Sequence, residues 1–344
     1  MRQESTLIPL EKIAPQVLRG IKRKRRELLG PTRVQSRFIE AAVSSADQEN
    51  SQSILYHHSI FCQTYLPPRD PGNDVQTWER SNGDVRLRIT AGIAMHPDTK
   101  QFVPVGLPFG PKARLVLMCL NQKAILMQSP VIEVENSLTS FVSKMLKLHS
   151  KGDNINSVKE QLARLSASTI HLGVVRDGHA TTINSQIVTA FDIWFPKDDR
   201  QRVLWPSTIQ LSHDYFQNLV NHAVPLDETH IAALSHSSLA LDIYTWLAQR
   251  LHRIPANKPT LVTWASLHGQ FGQGYSTEHI RKFRQVFRVA LKQVLSIYKA
   301  ARVLDETPKQ ARRYSIQGET FWREEPATGL TLYNSPPPVK KLLA

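Results

Sequence analysis

Hydrophobic positions along the central chain fall into two alternating periods. After Phe109-Gly110-Pro111, Leu115, Val116, Leu120, Ala124 and Met127 recur at helical spacing, and Lys112 and Lys123 are placed to face water. SPVIEVE at 129–135 reads as a short strand. Ser137 is a good N-cap for LTSFVSKMLKL, Gly152 breaks that helix, and Asn154 or Asn156 caps a third helix through VKEQLARLSA. STIHLGVV then alternates as a strand. The turn Arg176-Asp177-Gly178-His179 leads into TTINSQIVTAFDIWF, which alternates again. Helix, strand, helix, turn, helix, strand, wing and strand is the order of a winged helix-turn-helix, whose third helix enters the DNA major groove.

The order recurs beyond Pro196. STIQLS at 207–212 predicts a strand ending on the cap Ser212, followed by a helix over HDYFQNLVNHA. Pro225 opens a new segment with a short helix over 227–235, and Ser237 or Ser238 caps the amphipathic LALDIYTWLAQRLHRI. LVTW at 261–264 is strand-like, ASLHGQF a short helix, and Gln273-Gly274-Tyr275 a turn. A long helix from Glu278 to about Ala300 comes next, then a second wing with arms either side of Thr307-Pro308. The fold class expected is therefore mainly α with small β-sheets, two winged helix-turn-helix domains in tandem. The repeat lies in the order of elements and not in sequence identity. The boundaries expected are a basic tail at 1–54, a first winged-helix domain at 55–195 whose Pro/Gly-rich start includes a strand at 85–92, and a linker at 196–206. A second winged-helix domain at 207–325 and a Pro-rich tail at 326–344 follow, with few core contacts between the domains.

Charge narrows the partner. Among 344 residues, 43 Lys and Arg stand against 29 Asp and Glu, a formal charge of +14. Such an excess points to a polyanion, nucleic acid or an acidic membrane surface. Leu115–Leu120, the longest apolar run, is far shorter than the ~20 residues of a membrane span. MRQESTLIPLEK has no charged-then-apolar leader. Cys62 and Cys119 cannot alone build a disulfide framework or a cysteine zinc site, and a reducing cytoplasm suits them. No membrane contact and no cofactor are expected.

The long helix carries the best candidate chemistry. Ile280, Phe283, Phe287, Ala290, Leu291, Val294 and Ile297 line one face, and Arg281, Arg284, Arg288, Lys292 and Lys299 line another, with Lys282 beside them. Glu278 is the one acid between Tyr275 and Arg302. A solvated surface helix would interleave Glu with Lys, so this face is read as DNA-binding, with Arg281, Arg284 and Arg288 sharing it at i, i+3 and i+7. Weaker candidates are Lys159 and Arg164 on the first third helix, Arg176 and His179 in the first wing, and Lys309, Arg312 and Arg313 in the second. Lys22, Arg23, Lys24, Arg25 and Arg26 form either an arm that tracks phosphates or a solvated helix end.

Catalytic signatures are sparse. There is no P-loop and no His-Glu-x-x-His. The 13 histidines never occur as His-x-His, the arrangement a rolling-circle nickase needs. His57-His58 are read as packing or surface residues, and Asp242, inside an apolar helix, as a carboxylate satisfied inside the domain or pairing with a basic neighbour. No enzymatic, catalytic or metal role is expected.

Four segments resemble a known family: PFGPKARLVLMCLNQKAILMQSPVIEVENSLTSFV at 108–142, WPSTIQLSHDYFQNLVNHAVPLD at 205–227, SSLALDIYTWLAQRLHRI at 237–254 and GLTLYNSPPPV at 329–339. Over roughly residues 85–340 the chain resembles the plasmid-encoded RepA replication initiators of bacteria. The resemblance implies two winged-helix domains that bind repeated double-stranded DNA sites at a plasmid origin. It also implies help in opening the duplex and recruitment of host replication proteins such as the helicase and the host initiator. Related initiators often repress their own promoters and often act as homodimers. Rival readings are a winged-helix transcriptional regulator without initiator activity and a DNA-nicking or priming enzyme.

Overall fold

The structure is a computed structural model and describes residues 53–95, 99–133, 138–146, 152–176, 179–190, 208–275, 280–305, 312–316, 319–323 and 329–339. Strand β1 (Ile54–His58) is followed by β2 (Thr77–Asn82), β3 (Val85–Thr90), β4 (Gly92–Met95) and β5 (Phe102–Gly106). Helix α1 (Gly110–Met127), β6 (Val131–Glu133), a short helical stretch over 138–145 and α2 (Gly152–Ala167) come next. They lead to β7 (Thr169–Arg176), β8 (His179–Gln186) and β9 (Val188–Ala190). Strand β10 (Thr208–Leu211), α3 (His213–His222), β11 (Ala223–Asp227), α4 (Glu228–Leu234) and α5 (Ser238–Arg250) form the middle. The chain continues through β12 (Thr260–Thr263), α6 (Trp264–Phe271), α7 (Ile280–Ile297), β13 (Val303–Asp305), β14 (Arg312–Ile316), β15 (Glu319–Arg323) and β16 (Gly329–Leu332).

Two three-stranded antiparallel sheets reveal the repeat. In the second half, β12 and β13 flank β16, and the hairpin β14–β15 lies in sequence between β13 and β16, where a wing belongs. In the first half, β6 and β9 flank β10 in the same way. Two winged helices therefore stand in tandem: α1, β6, 138–145, α2, β9, β10 and then α5, β12, α6, α7, β13, β16.

This pairing corrects several boundaries. Strand β10, expected to open the second domain, closes the first sheet. Residues 191–207, which include the expected linker at 196–206, lie outside the described residues and connect two neighbouring strands of one sheet. The hairpin β7–β8, expected as the first wing, instead joins β2 and β3 in a four-stranded sheet inserted between α2 and β9. In the second wing, β14 pairs with β15 from Arg312↔Arg323 to Ile316↔Glu319, and the expected turn Thr307-Pro308 lies outside the described residues. The expected C-terminal tail is also built in. Gly329–Leu332 is a central, buried strand, Tyr298 Oη donates to Pro336 O at 2.7 Å, and Val339 is buried.

The two halves share one core. Strand β1 pairs along its whole length with β11. Helix α1 is buried almost all round from Ala113 to Asn121, because β1, α2 and α5 surround it. Its Arg114 crosses to α5, where Nε and Nη2 donate to the two carboxylate oxygens of Asp242 at 2.6 and 2.8 Å. The remaining donors of Arg114 reach the carbonyls of Leu66, Pro67 and Gly110, so the buried ion pair is fully hydrogen-bonded. The expectation of few core contacts between the halves is thus overturned.

Local chemistry explains the element ends. Ser212, Asp227, Ser237 and Thr263 cap α3, α4, α5 and α6, each accepting from backbone N–H groups of the first turn. Helix α2 starts at Gly152, so Asn154 and Asn156 lie within its first turns instead of capping it. Ser137 lies outside the described residues.

Candidate nucleic-acid interface

Helix α7 is held by its apolar face. Phe283, Phe287, Ala290, Leu291, Val294 and Ile297 are buried, Ile280 is half-buried, and Trp264 of α6 meets Phe287 edge-on at 5.7 Å. The opposite side points outward, with Arg281, Lys282, Gln285, Val289, Lys292 and Lys299 exposed. At 100° per residue, Arg281, Gln285, Val289 and Lys292 make one stripe directly opposite the buried one. The helix contains no acidic residue.

The three arginines grouped by sequence part company here. Arg281 is on the outward stripe. Arg284 and Arg288 sit on its flank, half-buried, with guanidinium carbons 5.8 and 4.9 Å from the Trp264 ring centre. Arg288 Nε also donates to Asp305 Oδ2 at 2.7 Å, tying α7 to β13. Cation–π stacking and an ion pair inside the domain are what these two side chains do. Gln285 and Val289, absent from the sequence-based candidates, occupy the centre of the stripe. Their signal was the helical angle measured from the buried face and not the charge.

The corresponding helix of the first half is different. Arg164 is turned into the fold, its side chain 7% exposed. It donates to Leu107 O at 3.0 Å and Glu160 Oε1 at 2.7 Å, pairs with Asp70 at 3.4 Å, and lies 4.9 Å over Phe109. Four groups of the fold surround the guanidinium of this candidate, so it faces the domain interior. Lys159 is half-buried, while Asp153, Asn156 and Glu160 are exposed, a face of mixed charge. Arg176 ends β7, its backbone opposite His179 in the four-stranded sheet. Arg312 and Arg313 are on β14, opposite Arg323 and Trp322. Lys309 and Lys22–Arg26 lie outside the described residues.

The turn between α6 and α7 is clamped from the first half. Arg80 of β2 donates through Nη2 to Gly269 O at 3.1 Å and to Gln270 O, and through Nη1 to Gln273 Oε1 at 2.7 Å. Gly274 follows with φ +86°, a left-handed conformation that glycine adopts without strain. Gln270 in turn donates to Tyr65 Oη at 3.0 Å and Gln63 O at 3.1 Å. A cleft lined by Tyr65, Trp78, Arg80, Asp242 and Lys282 runs beside this turn.

His57 and His58 are both buried on β1. His58 accepts from Ile60 N at Nδ1 and its Nε2 donates to Asn218 Oδ1 at 2.6 Å, which is the neutral tautomer. Burial lowers its pKa to about 4, helped by His222 and opposed by Asn218, and burial with His58 and Arg114 nearby lowers that of His57 to about 3. Among the described residues no three His, Cys, Asp or Glu side chains converge as a metal site would need, and no helix is long and apolar enough to cross a membrane.

No curated protein matches the chain. Solved structures similar to it include two of RctB domains. A selenomethionine derivative of domains 2 and 3 of RctB is 9% identical, covering 80% of this chain and 98% of that one, with a TM-score of 0.47. A second structure of RctB domains 2–3 is 9% identical, covering 80% and 96%, with a TM-score of 0.46. Within the chain, the family match begins at the entry to α1 and ends inside α6, ahead of α7. Over residues 107–266 the chain matches the family described as plasmid-encoded RepA protein, the family its sequence resembles.

Proposed function

We propose that this protein initiates plasmid replication by binding repeated double-stranded DNA sites at the origin, with α7 of the second winged helix as the principal reader. It acts by binding and deforming the duplex, without covalent chemistry. Its other partners are the host helicase and initiator and a second copy of the chain, and it works in the cytoplasm. The observation that carries the reading is α7 itself: an apolar face locked to its domain and, opposite, a cationic stripe without an acid. The family match over 107–266 supplies the link to plasmid replication.

The test is a binding titration on duplexes from the DNA flanking the gene, against a scrambled duplex. Arg281→Ala and Lys292→Ala should each weaken binding. A lost phosphate contact should flatten the slope of log K against log salt by about 0.9, and a lost base contact should cost about 1–3 kcal/mol on the specific duplex alone. Unchanged affinity in both variants would remove α7 as the reader. Support of replication from a cloned cognate origin separates an initiator from a transcriptional regulator. A relaxed band after incubating supercoiled origin DNA with protein and Mg²⁺ would instead establish a nicking enzyme.

A further inference from the structure

The outward stripe of α7 is not uniformly cationic. Between Arg281 and Lys292 it carries Gln285 and Val289, one helical turn apart, and Val289 is 61% exposed. An exposed β-branched residue is neither a phosphate ligand nor a strong helix former, so neither charge nor helix propensity accounts for it. Major-groove chemistry does. A glutamine amide donates to adenine N7 and accepts from adenine N6, and an aliphatic group packs on the thymine C5-methyl. Side chains at i and i+4 lie about 6 Å apart, close to two base-pair steps of about 3.4 Å.

Resting on the assignment of α7 as a DNA reader, we propose that Gln285 and Val289 are specificity-determining residues that read adenine and thymine. The preferred site then holds an A·T step in the major groove, flanked by the positions that Arg281 and Lys292 approach. Arg281 and Lys292 bring affinity, while Gln285 and Val289 select sequence. Arg284 and Arg288, drawn to Trp264, position the helix without reading bases.

The experiment uses the full chain and duplexes enriched from a randomised library. In the enriched duplex, each thymine is replaced singly by deoxyuridine, which deletes only the methyl, and each adenine by 7-deazaadenine, which deletes only N7. One deoxyuridine position should weaken the parent severalfold and leave Val289→Ala, already weakened, unaffected by that replacement. One 7-deazaadenine position within two steps should weaken the parent roughly 5–150-fold and leave Gln285→Ala indifferent. Thermal melts of both variants should match the parent, since both side chains are exposed. Enrichment of a sequence whose binding ignores every such replacement, or is weakened by them equally in parent and variants, overturns this inference alone. No enrichment overturns the DNA-reading assignment and this inference with it.

Discussion

Two arginines read from sequence as DNA-binding candidates, Arg281 the stronger and Arg164 the weaker, stand in opposite surroundings. Arg281 faces outward from α7, whereas Arg164 of α2 is enclosed by Leu107, Asp70, Glu160 and Phe109. Arg164→Ala should therefore behave as a core lesion. We expect a loss of about 3 kcal/mol in a denaturant melt, the usual result of removing one member of a buried, hydrogen-bonded charge group. Binding per folded molecule should hold. A variant that melts like the parent and binds DNA weakly would return Arg164 to the interface. Periodicity made the buried face of α7 legible, since Phe283, Phe287, Val294 and their neighbours are where a 3.6-residue repeat puts them. It could not show that Arg284 and Arg288 would be drawn off by Trp264, the first residue of the preceding helix, which is stacked beside them in the fold.

At the scale of elements, the helices and several strands were legible, but β1, β2, β4, β5 and β11 were not read from the sequence, and no strand's partner could be. Capping residues and apolar spacing mark α3 and α5 closely, because those signals are local. Pairing is not local. LVTW and GLTL carry nothing that names each other, yet β12 and β16 lie side by side, and STIQLS reads equally well as the last strand of one sheet or the first of the next. The clamp of Arg80 on the α6–α7 turn was invisible for the same reason. Arg80→Ala leaves the carbonyls of Gly269 and Gln270 and the amide of Gln273 without their donor. It should cost about 1–3 kcal/mol of stability and should weaken specific DNA binding more than scrambled, because it loosens the angle of α7. Arg80→Lys cannot reproduce the planar fork and should recover only part of the loss. Equal affinity of parent and Arg80→Ala for the specific duplex would show that the turn holds itself.

Across the whole molecule, the shared core makes stability respond to acid through β1. His57 and His58 are neutral in the folded chain, with pKa values lowered to about 3 and about 4, while in the unfolded chain they return to 6.5. As pH falls through 6.5 the unfolded state takes up protons that the folded state refuses, so stability drops, and it continues to drop until the folded pKa is reached. Each histidine contributes a slope of about 1.4 kcal/mol per pH unit in that window. His57→Phe, which keeps a ring against Phe61, should reduce the slope by about one proton in denaturant titrations between pH 4.5 and 6.5. The same slope in variant and parent would mean that His57 titrates freely. The union of β1 with β11 also has a consequence in time. His58 and its partner Asn218 are 160 residues apart. At about 5–20 residues per second, a nascent chain holds β1 for roughly 10–30 s before its mate leaves the ribosome. Throughout that interval an edge strand with buried-type residues is open to any neighbour, including the same strand on the next chain of a polysome. Rapid synthesis or a holding chaperone would shorten or shield that exposure, and the yield of active protein would follow the rate at which the message is read.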